Sequence, residues 1–249
     1  VLAAQDEAFG DGARRTLDVY APAARPEGAP VVVFIYGGGW RTGSKAEYSF
    51  VGDAFAAHGF VTVIPDYRLA PETQFPGFLV DNAAALRWVQ DNIARYGGDP
   101  NRVVLVGHSA GAYNAVMIAL NTDYARAAGY NPSAVRGVVG IAGPYGFYFN
   151  NPIISDAFGA PDPARMHAIA FARADAPELL LLAGDADRRV PVRASIEMRD
   201  ATVAAGGRAG LIVYNGVDHP GILQALALER RTRATVFQDT LDFARRVTR

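Results

Sequence analysis

Cysteine is absent from the 249 residues, which excludes disulfide bonds and thiolate metal sites but does not decide the cellular compartment. Lysine is almost absent, since Lys45 is the one lysine among 24 basic residues, and we interpret this as a bias of composition. The net charge is only −1, which argues against nucleic acid or an anionic membrane surface as a partner. No apolar run is long enough to span a bilayer, which argues against an integral membrane segment.

An initiating methionine is also missing, because the chain begins at Val1, so we expect that an N-terminal segment was removed or left out. An export signal would belong to such a segment, so a cytoplasmic protein and an exported, periplasmic one are both open, and either would be soluble. The composition that is present, 50% hydrophobic and 20% charged, is typical of a globular protein with a sizeable core. The length fits one domain over residues 1–249.

Short apolar strand patterns alternate with helical patterns, which predicts an α/β fold with a mostly parallel, doubly wound sheet flanked by helices. The predicted strands cover residues 16–20, 31–35, 60–65, 102–106, 135–142, 179–182 and 211–214. The predicted helices cover residues 48–58, 78–96, 112–120 and 192–205 and the C-terminal stretch to residue 249. Polar residues 1–15 are predicted as an irregular surface segment, and residues 143–175 as a small cap or loop insertion.

The sequence Gly107-His108-Ser109-Ala110-Gly111 follows a β-branched apolar strand and precedes a helix. A turn this sharp would bring Cβ atoms at positions 107 and 111 into the neighbouring backbone, which accounts for glycine at both. Ser109 would be held in a strained conformation, facing the free N–H groups and the positive dipole end of the helix. An ordinary serine-capped turn also fits these five residues, so a nucleophilic role for Ser109 depends on other stretches.

Three glycines follow another buried strand, in the sequence Tyr36-Gly37-Gly38-Gly39-Trp40. Without side chains in the way, their backbone N–H groups can turn into a shared cavity and hydrogen-bond a developing oxyanion. Ala110 supplies a further N–H group directly after Ser109. Taken alone, the glycines would also fit a flexible turn.

A serine hydroxyl needs a base to take its proton, and histidine is the usual choice. His58 lies near the end of a predicted helix and His167 in a loop region. His108 adjoins Ser109, but the turn is expected to direct its ring away. His219 follows the last predicted strand and therefore lies at the carboxyl edge of the sheet, where Ser109 emerges, so we predict His219 as the base.

The histidine needs a carboxylate to fix its tautomer and to stabilise the imidazolium. Asp185 and Asp187 both follow the strand at 179–182, at the same edge of the sheet. We favour Asp187 because it lies further into the loop, from which it can fold toward His219, whereas Asp185 could bond nearby backbone. Asp218 is a weaker candidate because side chains of chain neighbours diverge. Simple loop capping is the alternative for Asp185 and Asp187.

The order of serine, aspartate and histidine along the chain is that of α/β-hydrolases, and five stretches are similar to that superfamily. They are Tyr36-Gly37-Gly38-Gly39-Trp40, Asp66-Tyr67-Arg68-Leu69-Ala70-Pro71, Gly107-His108-Ser109-Ala110-Gly111, Gly184-x-x-Asp187-x-x-Val190-Pro191 and His219. From about residue 16 to its end, the chain resembles the carboxylesterase group related to hormone-sensitive lipase and the small bacterial esterases. The resemblance implies a nucleophile, an acid and a base at Ser109, Asp187 and His219. It implies oxyanion-hole N–H groups at Gly38, Gly39 and Ala110.

Two departures from the family pattern bear on these expectations. The family usually has histidine ahead of the glycines, where this chain has Tyr36, so we expect an intact oxyanion hole with altered tuning. Larger relatives carry an N-terminal helical cap, whereas about fifteen residues precede the first predicted strand here, which predicts a minimal cap and an open pocket.

The candidate substrate-binding residues are the aromatic side chains Trp40, Tyr145, Phe147 and Tyr148. The last three follow a strand, where α/β enzymes place binding loops. They either line an acyl or alcohol pocket or pack the loop onto the helices. Asp66 and Arg68 are interpreted as a structural ion pair or a loop staple rather than as catalytic groups.

The resemblance predicts a serine carboxylesterase that hydrolyses small or short-acyl esters through an acyl-enzyme at Ser109. Its substrate would be a small-molecule ester, and the chemistry needs no metal and no organic cofactor. A kynurenine-type aryl formamidase is the alternative, because those enzymes also resemble the glycine-Trp loop and the serine turn. A non-catalytic hydrolase-like binding protein would normally lack a triad residue, and none is missing here. The oligomeric state is left open.

Overall fold

Eight strands form one sheet in the computed structural model, which describes residues 1–24, 27–146, 152–159, 162–227 and 234–249. In chain order the strands are β1 (Leu2–Ala8), β2 (Thr16–Tyr20), β3 (Ala29–Ile35), β4 (Val61–Pro65), β5 (Gly98–His108), β6 (Val135–Ile141), β7 (Glu178–Gly184) and β8 (Ala209–Tyr214). Across the sheet their order is β1-β2-β4-β3-β5-β6-β7-β8. β2 pairs antiparallel with both β1 and β4, and the other neighbours pair in parallel. The predicted mostly parallel α/β sheet is therefore confirmed.

Helices connect the strands and cover the sheet. The described α-helices are α1 (Ser49–Ala56), α2 (Gly77–Asn92), α3 (Ala110–Leu120), α4 (Asp123–Ala127), α5 (Pro152–Phe158), α6 (Pro163–Met166), α7 (Val192–Ala204), α8 (His219–Gln224) and α9 (Val236–Val247). Short 3₁₀ turns lie at Lys45–Tyr48, Ile93–Tyr96, Pro132–Ala134 and Ala168–Phe171. The single helix predicted at 78–96 is thus α2 followed by a 3₁₀ turn, which ends where Gly97 adopts a left-handed φ of 86°. The predicted insertion at 143–175 contains α5, α6 and a 3₁₀ turn within its described part.

The core lies on both faces of the central strands. Val103, Val104, Leu105 and Val106 of β5 are each fully buried. Since consecutive side chains of a strand point to opposite faces, both faces must be covered. α3 packs on β5 and β6, and α7 packs on β7 and β8. This burial explains why these strands are continuous apolar runs rather than alternating ones.

The strand order reverses between β3 and β5, because the chain runs from β3 outward to β4 and then returns to β5 on the other side of β3. A reversal of this kind leaves a crevice at the carboxyl ends of the two strands, which is where open α/β sheets bind ligands. The glycine loop follows β3 and the Ser109 turn follows β5. The topology therefore brings the two motifs to one place at the edge of the sheet.

The N-terminal segment differs from the prediction, because residues 1–15 contain strand β1 instead of an irregular surface entry. β1 is an edge strand with irregular register against β2, and Asp6 within it has a positive φ of 57°. Its residues include no β-branched side chain, so the strand arises from pairing with β2 rather than from local propensity. The first strand therefore begins at Leu2 and not at residue 16.

A buried ion cluster anchors this edge of the sheet. The Nζ atom of Lys45 lies 2.5 Å from a carboxylate oxygen of Asp6 and 2.5 Å from one of Asp18. The side chains of Lys45 and Asp18 are 7% and 5% exposed, whereas that of Asp6 is 64% exposed. Burial alone would lower the pKa of the Lys45 ammonium, but hydrogen bonds to the two carboxylates outweigh it and raise the pKa. The one lysine of the chain is thus a structural cation between β1 and β2.

No helix in the described part of the chain is both long and apolar enough to cross a bilayer. The same residues contain no group of three or more acidic or histidine side chains arranged to hold a metal ion.

We predict that Lys45→Met lowers the free energy of unfolding by about 3 kcal/mol, because it leaves the buried Asp18 carboxylate without a counterion. Asp6→Asn is the matched control and should cost less than about 1 kcal/mol, since Asp6 is largely solvated. Urea unfolding followed by circular dichroism measures both. Equal losses for the two variants would contradict the assignment of Asp18 as the dependent partner.

Candidate active site

Ser109 lies at the turn between β5 and α3, with φ 53° and ψ −120°. This conformation is strained for a residue with a side chain, and it persists because the surroundings fix it. The Ser109 N–H donates to the carbonyl oxygen of Ile141 at the end of β6, at 2.8 Å. A Cβ atom on Gly107 would overlap the carbonyl oxygen of Gly111, and one on Gly111 would overlap those of Ile35 and Tyr36. The absence of these two side chains lets β5, α3 and the end of β3 meet.

His219 is the first residue of α8, directly after the loop that follows β8. Its Nε2 atom lies 2.9 Å from the Ser109 Oγ atom. Asp218 caps this helix, since its side chain accepts a hydrogen bond from the Gly221 N–H at 2.9 Å. The cap holds the start of α8, and with it the imidazole, at the edge of the sheet.

Asp187 lies in the turn after β7, and its Oδ2 atom is 2.6 Å from the Nδ1 atom of His219. Its other oxygen accepts hydrogen bonds from the N–H groups of Arg189 and Val190, at 2.8 and 2.9 Å. Burial alone would raise the pKa of the Asp187 carboxyl, but the hydrogen bonds from His219, Val190 and Arg189 outweigh it and lower the pKa. The carboxylate therefore stays ionised and fixes the tautomer with Nε2 free to accept the Ser109 proton.

The other aspartates considered from the sequence lie nearby but do not contact the imidazole. An Asp185 oxygen accepts a hydrogen bond from the Gly216 N–H at 2.6 Å, which ties the loop after β7 to the loop after β8. Asp218 is occupied at the helix cap. The structure therefore brings Ser109, His219 and Asp187 together and leaves Asp185 and Asp218 as loop supports.

His108 was expected to point away from the site, but its buried ring lies against that of His219, with 4.9 Å between the ring centroids. Neither ring nitrogen of His108 hydrogen-bonds to a described residue. Burial, with a smaller contribution from His219, lowers the pKa of His108 to about 3. His108 is thus a neutral support for His219 that does not compete for the Asp187 charge. His58 lies apart from the site and bonds the Ala54 carbonyl at 2.7 Å through its Nδ1 atom.

The glycine loop faces the serine. Gly38, Gly39 and Trp40 all have positive φ values, of 122°, 61° and 58°. The Gly38 carbonyl accepts hydrogen bonds from the N–H groups of Arg41 and Thr42, which closes the loop into a tight turn. Within the described part of the chain, the Gly38 and Gly39 N–H groups donate to no backbone carbonyl. Together with the N–H of Ala110, at the start of α3, they are available to an anion at Ser109.

Tyr36, which precedes the glycines, holds this loop through hydrogen bonds and ring stacking. Its hydroxyl donates to Asp66 at 2.6 Å and accepts from Arg14 at 2.8 Å, and its carbonyl accepts from the Tyr67 hydroxyl at 2.8 Å. The Tyr36 ring stacks between those of Tyr48 and Tyr67, at centroid distances of 5.3 and 4.8 Å. Burial and the neighbouring Asp66 raise the pKa of Tyr36 well above the usual tyrosine value. The phenol therefore stays protonated and takes the place that the family usually gives to histidine.

Asp66 and Arg68 have structural partners, as expected, but they do not pair with each other. Asp66 accepts hydrogen bonds from the Tyr36 hydroxyl and from the Lys45 N–H, the latter at 2.8 Å. Arg68 binds both oxygens of the fully buried Asp81, each at 2.8 Å. The partners come from different segments, which spacing along the chain does not reveal.

A cavity of about 890 Å³ opens above Ser109. Its described lining residues are Gly38, Gly39, Trp40, Arg41, Thr42, Tyr48, His108, Ser109, Ala110, Pro144, Arg188, Arg189, Val190, His219, Pro220 and Leu223. Several were not singled out from the sequence, although Arg188, Arg189 and Val190 lie within the motif that contains Asp187. The cavity therefore joins the glycine loop, the serine turn and the loops after β7 and β8.

The aromatic candidates for substrate binding are placed differently from one another. Trp40 lines the cavity, and its indole N–H donates to Asn114 at 2.9 Å while its ring meets that of Phe158 edge to face. Tyr145 is fully buried against Gly140 and Gly143 and is not among the lining residues. Its placement fits packing of the loop. The other two candidates, Phe147 and Tyr148, lie outside the described residues.

The family model named BD-FAE matches residues 17–202 of the chain. Among curated proteins, isoprenylcysteine alpha-carbonyl methylesterase ICME of Arabidopsis thaliana is 30% identical over 234 residues, covering 85% of this chain and 55% of that protein. Carboxylesterase NlhH of Mycobacterium tuberculosis is 44% identical over 107 residues, covering 42% of this chain and 34% of that protein. The chain thus spans about half the length, or less, of these curated relatives.

Among solved structures, a truncated form of a carbohydrate esterase from gut microbiota superposes with a TM-score of 0.85. The match covers 98% of this chain and 95% of that chain at 22% sequence identity. At this identity the likeness establishes the fold alone, which is that of the α/β-hydrolases.

We predict that Tyr36→Phe lowers the free energy of unfolding by about 1–3 kcal/mol, because it removes two hydrogen bonds to charged groups, one to the buried Asp66 oxygen and one from Arg14. Tyr48→Phe is the control, since Tyr48 belongs to the same ring stack but its hydroxyl bonds to no described residue. Urea unfolding measures both. A loss for Tyr48→Phe as large as that for Tyr36→Phe would attribute the effect to the rings and not to the hydroxyl.

Proposed function

The chain belongs to the BD-FAE family, and on that premise we propose that it hydrolyses small carboxylic esters with Ser109 as nucleophile, His219 as base and Asp187 as the orienting acid. The observation that carries the proposal is the continuous contact from the Ser109 Oγ to the His219 Nε2 at 2.9 Å and from the His219 Nδ1 to the Asp187 Oδ2 at 2.6 Å. Esterase names among the relatives support the same reaction class.

The first half of the reaction forms an acyl-enzyme. The Ser109 Oγ attacks the ester carbonyl while the His219 Nε2 takes the hydroxyl proton, and Asp187 stabilises the imidazolium that results. When the tetrahedral intermediate collapses, the same nitrogen gives its proton to the departing alcohol oxygen. The leaving alcohol must therefore lie on the His219 side of Ser109.

Charge that develops on the carbonyl oxygen is stabilised by the N–H groups of Gly38, Gly39 and Ala110, which line the same cavity as Ser109. These donors are backbone groups fixed by the Gly38 turn and by the start of α3, so they need little rearrangement during the reaction. Tyr36, Asp66 and Arg14 act through the loop by holding it, and we regard them as positioning residues.

In the second half, water enters the cavity and His219 takes its proton, so that hydroxide attacks the acyl carbon and Ser109 leaves with the proton restored. Trp40 forms part of the cavity wall. The residue is 2% exposed, and its side chain is held by a hydrogen bond to Asn114 and an edge-to-face contact with Phe158. A rigid aromatic wall beside the nucleophile favours short acyl groups over long chains.

We expect Ser109→Ala to lower kcat for 4-nitrophenyl acetate and butyrate by at least about 10³-fold, because the acyl-enzyme cannot form. Ser133→Ala, an exposed serine away from the site, is the matched control and should keep full activity. A fluorophosphonate probe should label the wild type and the control but not Ser109→Ala. Hydrolysis that survives in Ser109→Ala would refute the assignment, and kynurenine release from N-formylkynurenine in excess of ester turnover would favour the formamidase alternative.

We expect Asp187→Asn to lower kcat by about 10⁴-fold with little change in KM, because the amide can hold His219 in the wrong tautomer. Asp185→Asn makes the same change two residues away, where the side chain bonds the Gly216 N–H instead of the imidazole. Steady-state kinetics on 4-nitrophenyl butyrate compares the two. If both variants lose the same activity, the carboxylate acts through loop structure and not through the imidazole.

A further inference from the structure

Among the described residues, the side chains that line the cavity above Ser109 include cations and no anions. Arg41, Arg188 and Arg189 belong to its lining, whereas no described carboxylate does. The chain as a whole has 24 basic and 25 acidic residues, so this local excess of positive charge is opposite to the average composition. A cleft of one sign concentrates ligands of the other sign.

The three arginines differ in whether their charge is already balanced. The Arg41 guanidinium lies 2.7 Å from a carboxylate oxygen of Asp156 in α5. Arg188 and Arg189 are exposed, and neither forms an ion pair with a carboxylate in the described part of the chain. Arg188 and Arg189 therefore supply two free guanidinium groups at the cavity.

The acidic residues of the two loops are Asp185, Asp187 and Asp218. Asp187 adjoins Arg188 in the chain, but its two oxygens bond the His219 ring and the N–H groups of Arg189 and Val190, and among the described ion pairs it has none with either guanidinium. Asp185 and Asp218 bond backbone groups, since Asp185 accepts from the Gly216 N–H and Asp218 from the Gly221 N–H. Each holds a turn and leaves the guanidinium groups unpaired.

The backbone of this arginine pair is fixed on the His219 side of Ser109. The N–H groups of Arg189 and Val190 both donate to the Asp187 oxygen that His219 does not use. Pro220 and Leu223, from α8, also line the cavity. Because His219 must protonate the leaving oxygen, the alcohol part of an ester lies against this wall.

We infer that the preferred substrates are esters whose alcohol part carries a carboxylate, which Arg188 and Arg189 bind while Ser109 attacks the acyl carbon. The inference rests on the proposed function, and it adds the chemical class of the alcohol. Guanidinium groups suit this role because they are always charged and present a planar fork of donors that matches a carboxylate.

The test compares 4-acetoxybenzoate with its methyl ester, which share the acetyl group and differ in one negative charge on the alcohol part. Each kcat/KM is divided by the rate of hydrolysis by hydroxide, which removes the difference in intrinsic reactivity. We expect the wild type to favour the anion by about five- to tenfold after this correction. In Arg188→Gln/Arg189→Gln the ratio should fall toward one.

Arg193→Gln/Arg245→Gln is the control, since both arginines are exposed, neither lines the cavity, and the change in net charge is the same. This variant should keep the wild-type ratio. Raising the ionic strength to about 1 M, where the screening length is about 3 Å, should lower the ratio in the wild type. Thermal unfolding verifies that all variants are folded.

A second pair of esters, which carries the charge on the acyl part, tests whether the arginines bind the alcohol side or the acyl side of the substrate. Mono-4-nitrophenyl succinate and its methyl ester place the charge on the acyl group, and we expect a smaller preference for this anion than for 4-acetoxybenzoate. A larger acyl-side preference would overturn the inference. Equal corrected rates for 4-acetoxybenzoate and its methyl ester would also overturn it, while leaving ester hydrolysis at Ser109 intact.

A binding measurement separates failure of this inference from failure of the proposed function. Calorimetry compares the binding of 4-hydroxybenzoate to Ser109→Ala with and without the two arginine substitutions. If no ester is hydrolysed by the wild type but binding weakens by about fivefold without the arginines, the carboxylate site stands and the esterase proposal falls. Equal binding by the two variants would overturn the carboxylate site.

Discussion

The site depends on the close contact of two backbones. Gly111, at the start of α3, lies so near the carbonyl oxygens of Ile35 and Tyr36 that a Cβ atom cannot fit between them. This approach sets the end of β3 against the turn after β5, and the glycine loop and Ser109 face one cavity as a result. A side chain at this position would separate the glycine loop from Ser109, so the absence of one lets two motifs more than sixty residues apart face one cavity. The topology of the sheet places the two motifs side by side, and the lack of a side chain at Gly111 lets their backbones approach closely.

Buried polar groups hold the glycine loop, which its own residues would leave flexible. Three glycines in succession cost conformational entropy and fix nothing by themselves. Tyr36 restrains them through Asp66 and Arg14, and the same Asp66 oxygen accepts the N–H of Lys45. Lys45 in turn pairs with the carboxylates of β1 and β2. A continuous set of hydrogen bonds therefore connects the N-terminal edge of the sheet to the glycine loop.

Much of the fold and the proximity of the proposed triad could be predicted, because strand patterns and the parallel topology bring the ends of β5, β7 and β8 to one edge. Local sequence did not predict β1, since its residues have little strand propensity and it exists through pairing with β2. It also did not predict that the His108 ring lies against that of His219, because side-chain direction at the turn is set by packing. The partners of Asp66 and Arg68 were missed for a related reason, as they come from distant segments. The catalytic roles themselves stay predictions until the variants are measured.

The burial of Lys45 has a practical consequence for chemistry on the native protein. It is the only lysine side chain in the sequence, and its amine is enclosed by two carboxylates. Acylating reagents aimed at amines will find no accessible side-chain target while this edge of the sheet is folded, and glutaraldehyde coupling through lysine will be inefficient. Conversely, acylation of Lys45 would report local opening of this edge. The mass increase at Lys45 would measure how often β1 and β2 separate from the lysine.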